Sequence, residues 1–455
     1  MTSRASVTTS GLLEFPAGFV WGAATASYQI EGSADAHGKG PSIWDLFCRA
    51  PGAIENSDTG DVACDHYRRW REDLALMSQL GLGAYRFSIS WPRVLPTGHG
   101  QVNRTGLDFY DRLVDGLLEA GIQPFVTLYH WDLPQALQEA GGWPARQTAD
   151  HFAAYADVVS RRLGDRVGHW ITLNEPWVAA YAGYGNGWHA PGIRNPLAAI
   201  AAAHHLLLAH GQAVPVLRAN SRPEAQVGIT LNLAPVHPAS DREADQAAAR
   251  RFDGFLNRWF LGPIFHGRYP EDLLTLLGEA LPDGAAADGP AMAAPLDFLG
   301  INNYTRNVMA NDPESVVVET KEVFPSGRPY TEMGWEVYPE GLYELLTRVQ
   351  RDYAPPRIYV TENGATFPDA LSGGRVHDPQ RVDYLRGYIA QAHRALQEGV
   401  PLAGYFVWTL LDNFEWAYGY SKRFGLVYVD FGSQARILKD SAFWYREVIA
   451  QNGVR

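Results

Sequence analysis

One unit recurs along the chain: an amphipathic helix, a glycine, then a short apolar run ending in a polar or aromatic residue. Leu107, Tyr110, Leu113, Val114, Leu117 and Leu118 share one helical face, and Gly121 stops that helix before I-Q-P-F-V-T-L-Y-H begins. Runs of this kind fall at Phe19–Thr25, Gly83–Ser90, Ile122–His130, Val167–Asn174, Gln226–Leu233, Asp297–Asn302, Arg357–Glu362 and Leu402–Thr409. Strands that are apolar almost throughout are buried on both faces, which means a parallel sheet covered by its crossover helices. Eight of them predict an α/β fold, a (β/α)8 TIM barrel. A length of 455 residues would by itself suggest two or three domains. The only biased segment, 278–295, leads straight into the run D-F-L-G-I-N and is read as a mobile loop rather than a linker. The expected organisation is a flexible tail over 1–14 and a single barrel domain with long loops over 15–455.

The ends of these runs carry the chemistry, because a barrel keeps its site at the C-terminal ends of its strands. R-I-Y-V-T-E-N-G places Glu362 at one tip, and H-W-I-T-L-N-E-P places Asn174 and Glu175 at another. An isolated Glu at a strand end is usually a solvated loop acid. The apolar setting of both opposes that reading and favours a pair of catalytic carboxylates. The other tips carry Arg86, His130, Asn232, Asn302 with Tyr304, and Trp408. Acids, amides, a guanidinium and aromatic rings on one rim suit a polar neutral molecule with apolar faces, such as a sugar. Fourteen tryptophans, among them Trp131, Trp177, Trp335, Trp408 and Trp416 near loops or strand ends, favour the same ligand class.

Other classes fit poorly. The net charge of −12 comes with no basic run, so neither nucleic acid nor an anionic membrane is expected as a partner. Residues 1–10 hold no apolar leader and no uninterrupted apolar run reaches membrane-spanning length, so a cytoplasmic location is expected. Cys48 and Cys64 are expected as free thiols. His204, His205 and His210 lack metal-ligand spacing and are read as helix residues at a packed or capped surface. Gly183, Gly185 and Gly187 follow no strand and are read as a flexible loop. No metal and no cofactor is expected. The four lysines, Lys39, Lys321, Lys422 and Lys439, lie on none of the eight runs, which leaves Schiff-base chemistry without a candidate.

Seven motifs in order also carry a family resemblance: F-P-A-G-F-V-W-G-A-A-T-A-S-Y-Q-I-E-G at 15–32, Y-R-F-S-I-S-W at 85–91, T-L-Y-H-W-D-L-P at 127–134, T-L-N-E-P at 172–176, G-I-N-N-Y-T at 300–305, V-T-E-N-G at 360–364 and D-N-F-E-W at 412–416. Over roughly 15–445 the chain resembles family 1 glycoside hydrolases of the β-glucosidase type. The resemblance implies a retaining hydrolysis in which Glu175 is the general acid/base and Glu362 the nucleophile, the two carboxyls standing roughly 5 to 5.5 Å apart. It implies that Arg86 and Tyr304 orient Glu362 and lower its pKa, with Asn302 beside them, and that Asn174 holds the sugar 2-hydroxyl. Gln29, His130, Trp131, Asn174, Trp408, Glu415 and Trp416 match the positions that grip the terminal glycosyl unit. Trp177, Asn232 and Trp335 match the aglycone side. Asn303 departs from the tyrosine many relatives have there.

Relatives acting on 6-phosphosugars carry Ser, Lys and Tyr where this chain has Glu415, Lys422 and Phe424. An anionic Glu415 would repel a phosphate, so an unphosphorylated β-glucoside is expected as the small-molecule substrate. A 6-phospho-β-glucosidase and a catalytically silent sugar-binding barrel are the alternatives.

Overall fold

The computed structural model describes residues 11–455. Eight parallel strands close into a barrel: β1 (Val20–Ala24), β2 (Ala84–Ser88), β3 (Gln123–Tyr129), β4 (His169–Asn174), β5 (Gln226–Asn232), β6 (Phe298–Asn302), β7 (Ile358–Asn363) and β8 (Leu402–Trp408). Each pairs with its neighbours in sequence and β8 closes on β1, so the eight apolar runs and the barrel correspond strand for strand. Long helices such as Arg104–Glu119, Gln147–Leu163 and Pro379–Gln397 cover the outside, each with its apolar face turned inward.

The barrel interior is stratified. At its floor, Phe125, Phe298, Tyr359 and Phe406 form an aromatic plug, with the His169 ring stacked on Phe125 at 4.0 Å. Above it lies a hydroxyl layer: Thr230 Oγ1 donates to Thr361 Oγ1 at 3.3 Å, and Thr361 Oγ1 donates to Asn302 Oδ1 at 2.8 Å. Gly300 makes room for that layer, since a Cβ there would stand 2.2 Å from Thr230 Oγ1. The carboxylates sit on top of it.

Several expectations need correcting. Of the tail expected over 1–14, residues 1–10 lie outside the described residues. Leu13 and Glu14 are not a tail: they pair antiparallel with Gly453 and Val454, and Phe15 N–H donates to Asn452 O. Segment 278–295 is built of short helical turns, with Asp288 bonded to Arg146 and to His204. Gly183 and Gly185 lie in the π-type helical turn Val178–Gly185 rather than in a loop, and a Cβ at Gly183 would come within 2.7 Å of Ala190 O.

The three histidines are buried, not at a surface. They sit in helix Pro196–Asn220, where His204 bonds Tyr269 and Asp288, His205 donates to Trp143 O, and His210 meets Thr172 Oγ1. That helix is long and apolar enough by composition to cross a membrane, but 78% of its apolar window is buried within the fold. Its apolar character serves the core. Outside the barrel, Val236–Pro238, Asn307–Asn311 and Thr320–Glu322 form a small sheet among the loops that follow β5 and β6.

Candidate active site

A regular strand points successive side chains to opposite faces, yet Thr361 and Glu362 both point into the barrel. The pairing of β7 slips its register between Val360 and Glu362 against β6, and again before Asn363 against β8, which turns both side chains inward. β4 slips likewise between Ile171 and Asn174, and Glu175 follows at φ 48°, a left-handed conformation uncommon for a side chain of this size. Each carboxylate therefore stands just past an irregularity that aims it at the barrel axis.

The two carboxyls have different surroundings. Arg86 Nη1 donates to Glu362 Oε1 at 2.6 Å and Tyr304 OH donates to Glu362 Oε2 at 2.5 Å, so each oxygen has its own donor. Glu175 Oε1 accepts only from the neutral amide of Asn302, at 2.6 Å. Asn302 cannot turn round, because its Oδ1 is held by Thr361. Asn174 ties the pair together: its Oδ1 accepts from Arg86 Nη2 at 2.6 Å and from Asn302 Nδ2 at 3.0 Å. Its Nδ2 then faces His130 Nε2 at 3.1 Å.

Burial, and after it the charge of Glu362, pushes the Glu175 carboxyl up to about 8, so it holds its proton at neutral pH. Glu362 was expected below the ordinary carboxylate range. Arg86 and Tyr304 do pull it that way, but burial outweighs them and its pKa lies above the usual value. Glu362 still ionises first, since it alone contacts the guanidinium. Burial, then Glu362, raises Glu415 to about 8, so its carboxyl is neutral near pH 7. That weakens the argument from phosphate repulsion by an anionic Glu415.

Around the carboxylates, His130 stacks between Trp408 and Trp416, with ring centroids 5.8 and 5.9 Å away, and Trp131 closes on Trp416 at 4.6 Å. Trp131 Nε1 donates to Asn174 O at 2.9 Å. Burial, then the Arg86 charge, keeps His130 neutral. Its contact with Asn174 Nδ2 requires an unprotonated Nε2, which places the proton on Nδ1, an atom without a protein partner. Gln29 Nε2 donates to Asn413 Oδ1, Phe414 O and Glu415 Oε2, leaving Gln29 Oε1 unpartnered. A free donor and a free acceptor thus stand in one pocket wall.

Trp335 and Phe424 both pack on Tyr304, at 5.1 and 6.1 Å. Trp177, two residues beyond Glu175, packs on Tyr181 and Phe255 at the rim. Asn232 is partly exposed at the end of β5, opposite Asn302. Asn303 is buried and bridges Leu233 O and Thr305 O, so its departure from the family pattern is a matter of loop packing.

The supporting residues were not legible in the sequence. Thr127 accepts from Arg86 Nε at 3.3 Å, Asn413 orients Gln29, and Thr361 fixes Asn302. Asp132 accepts from Ser27 Oγ at 2.9 Å and so joins the His130–Trp131 turn to the short helix Ser27–Ile30 that carries Gln29. T-L-Y-H-W-D holds Thr127 and Asp132, V-T-E-N-G holds Thr361 and D-N-F-E-W holds Asn413, but nothing in the motifs gave these four a role. Among the described residues no cluster of three or more possible metal ligands occurs.

The chain is similar to known proteins along almost its whole length. The family profile described as Glycosyl hydrolase family 1 matches residues 13–454. Beta-glucosidase A of Thermotoga maritima is 53% identical over 444 residues, covering 97% of this chain and 99% of that protein. The 1,4-beta-D-glucan glucohydrolase of Thermotoga neapolitana is 52% identical at the same coverage. The solved structure of the family 1 β-glucosidase from Thermotoga maritima superposes with a TM-score of 0.96, covering 98% of this chain and all of that one. A second structure of that organism's family 1 glycoside hydrolase holds a cyclophellitol analogue described as a transition state mimic.

Proposed function

Because the chain belongs to glycosyl hydrolase family 1, we propose that it is a retaining β-glucosidase, removing terminal β-D-glucosyl residues from O-glycosides and short β-glucans. The observation that carries this reading is the asymmetry of the two carboxyls: Glu362 between a guanidinium and a phenol, Glu175 against a neutral amide and protonated. Two carboxyls whose surroundings separate their protonation states are an acid and a nucleophile.

In the first step Glu362 attacks the anomeric carbon while Glu175 gives its proton to the departing oxygen. Asn174 Nδ2 gives one hydrogen to His130 Nε2, and its second hydrogen donates to the 2-hydroxyl. Formation of the glycosyl ester consumes the charge on Glu362, the second cause of the raised Glu175 pKa. Glu175 then accepts a proton from the incoming water, and the ester is cleaved with a second inversion. His130 Nδ1–H and Gln29 Oε1 read neighbouring hydroxyls, with Trp408 and Trp416 along the ring faces. Trp177, Asn232, Trp335 and Phe424 form the side from which the leaving group departs. A part in cellulose breakdown and a cytoplasmic location complete the proposal; the two buried free thiols support the latter.

The test exchanges each carboxyl for alanine and rescues with azide. Glu175→Ala should give the β-glucosyl azide and keep much of its kcat/KM on activated aryl glucosides, while its kcat without azide falls for want of the base. Glu362→Ala should lose nearly all activity and give the α-azide. Azide products of one configuration from both variants refute the assignment, and an α-hemiacetal as first product of the wild type refutes retention.

A further inference from the structure

A second cleft, of about 580 Å³, opens on the same face of the barrel. Its walls come from the loops after β1, β4 and β8: Phe47 and Pro51, then Trp188, His189 and Arg194, then Tyr418. Neither Trp188 nor Tyr418 is spent on the core, for they are 70% and 40% exposed. An indole this open, facing a concavity, is a surface kept for contact. The lining contains a guanidinium and no carboxylate. The cleft and the carboxylate pocket lie on either side of one wall. Tyr418 lies two residues beyond Trp416, and the His189 ring stands 6.3 Å from Trp416 and 5.4 Å from Trp131. Trp177, Asn232 and Trp335 are not among the residues that line it.

We propose that this cleft is an accessory binding site for a β-1,4-linked gluco-oligosaccharide, held by Trp188, Tyr418 and Arg194 beside the catalytic pocket. The proposal rests on the β-glucosidase reading for its choice of sugar. All ring substituents of a β-1,4-glucan are equatorial, which leaves flat C–H faces for an indole and a phenol to cover. Its hydroxyl oxygens accept from the guanidinium, a donor without an acceptor side. A lining of donors and aromatic rings, free of acids, requires no charge on the ligand, and the volume suits a short saccharide.

The experiment first fills the catalytic pocket. The enzyme is treated with cyclophellitol, an epoxide opened by an enzymic carboxylate, and labelling is read by intact mass. Absence of label, together with absence of turnover on an aryl β-glucoside, would count against the catalytic reading on its own. Labelled protein is then titrated with cellotetraose by calorimetry. One equivalent should bind, and Trp188→Ala and Arg194→Ala should each weaken it, the first by about tenfold. Both variants should keep wild-type kcat/KM on the aryl glucoside before labelling, since neither residue reaches the carboxylates. The proposal is overturned if labelled wild type takes up no cellotetraose, if both variants bind it as wild type does, or if glucose 6-phosphate binds in preference to it.

Discussion

Tyr304→Phe isolates one hydrogen bond of Glu362, the proposed nucleophile. The phenol donates to Glu362 Oε2 at 2.5 Å from a ring fixed by its neighbours: the Tyr304 carbonyl accepts from Tyr384 OH and Tyr388 OH, and Trp335 and Phe424 pack on the ring. Phenylalanine therefore keeps the position and loses only the donor. A hydrogen bond to a charged, buried group contributes about 1.5–3 kcal/mol. Because this one favours the ionised carboxylate, its loss raises the Glu362 pKa by about one to two units at 1.36 kcal/mol per unit. In the proposed mechanism Glu362 must be ionised to attack, so the acid limb of kcat/KM moves to higher pH by that amount. Above that limb Glu362 is already ionised, so the plateau changes only by the difference in this bond between ground and transition state. The assay is the pH dependence of kcat/KM on an aryl β-glucoside, which reports the free enzyme, with circular dichroism to confirm the fold. An acid limb within about 0.3 unit of wild type would refute the view that Tyr304 holds Glu362 ionised.

Two further changes probe other terms. Glu415→Gln replaces a carboxyl that is neutral near pH 7, so kcat/KM on glucosides should fall by only about 0.5–1.5 kcal/mol; the alkaline limb should also move to lower pH, because Glu415 is one of the groups raising Glu175, and unchanged kinetics would remove it from the site. Lys439→Met removes a fully buried ammonium that donates to Asp412 Oδ1 at 2.7 Å and to Asp369 Oδ2 at 2.5 Å. Stripping two buried carboxylates of one counter-ion costs about 3–5 kcal/mol, so the thermal midpoint should drop by several degrees. A midpoint within about 1 °C of wild type would show that Arg381, which also pairs with Asp369, and Arg423, which pairs with Asp412, suffice.

The barrel was legible because its strands are buried on both faces, which makes each an apolar run with sharp polar ends; the eight predicted runs overlap the eight strands to within one or two residues at each end. Burial was harder to read where polar residues are satisfied inside. His204, His205 and His210 look like surface residues until Asp288, Trp143 and Thr172, far off in sequence, supply their partners. The same non-locality hid Thr361 and Thr127, ordinary β-formers whose hydroxyls matter only once strands from distant parts of the chain close the ring. The Glu362 pKa was misjudged for the converse reason. Its partners could be named from motifs, but the depth of burial opposing them is a property of the closed barrel. Register slips in β4 and β7 leave no mark in composition, so the convergence of Thr361 with Glu362 was out of reach.

The pairing of Leu13 and Glu14 with Gly453 and Val454 places both stretches at the mouth of the barrel opposite the carboxylates, since β1 leads from Phe15 and Phe19 up to Ala24 beneath Trp408. Five residues of strand cover about 16 Å, so anything grafted after Val454 is held behind the catalytic face by the full height of the barrel. An enzyme fixed to a solid support through that end presents its openings outward and keeps both clefts clear of the matrix. Fixation through the loops around Trp188 would do the opposite.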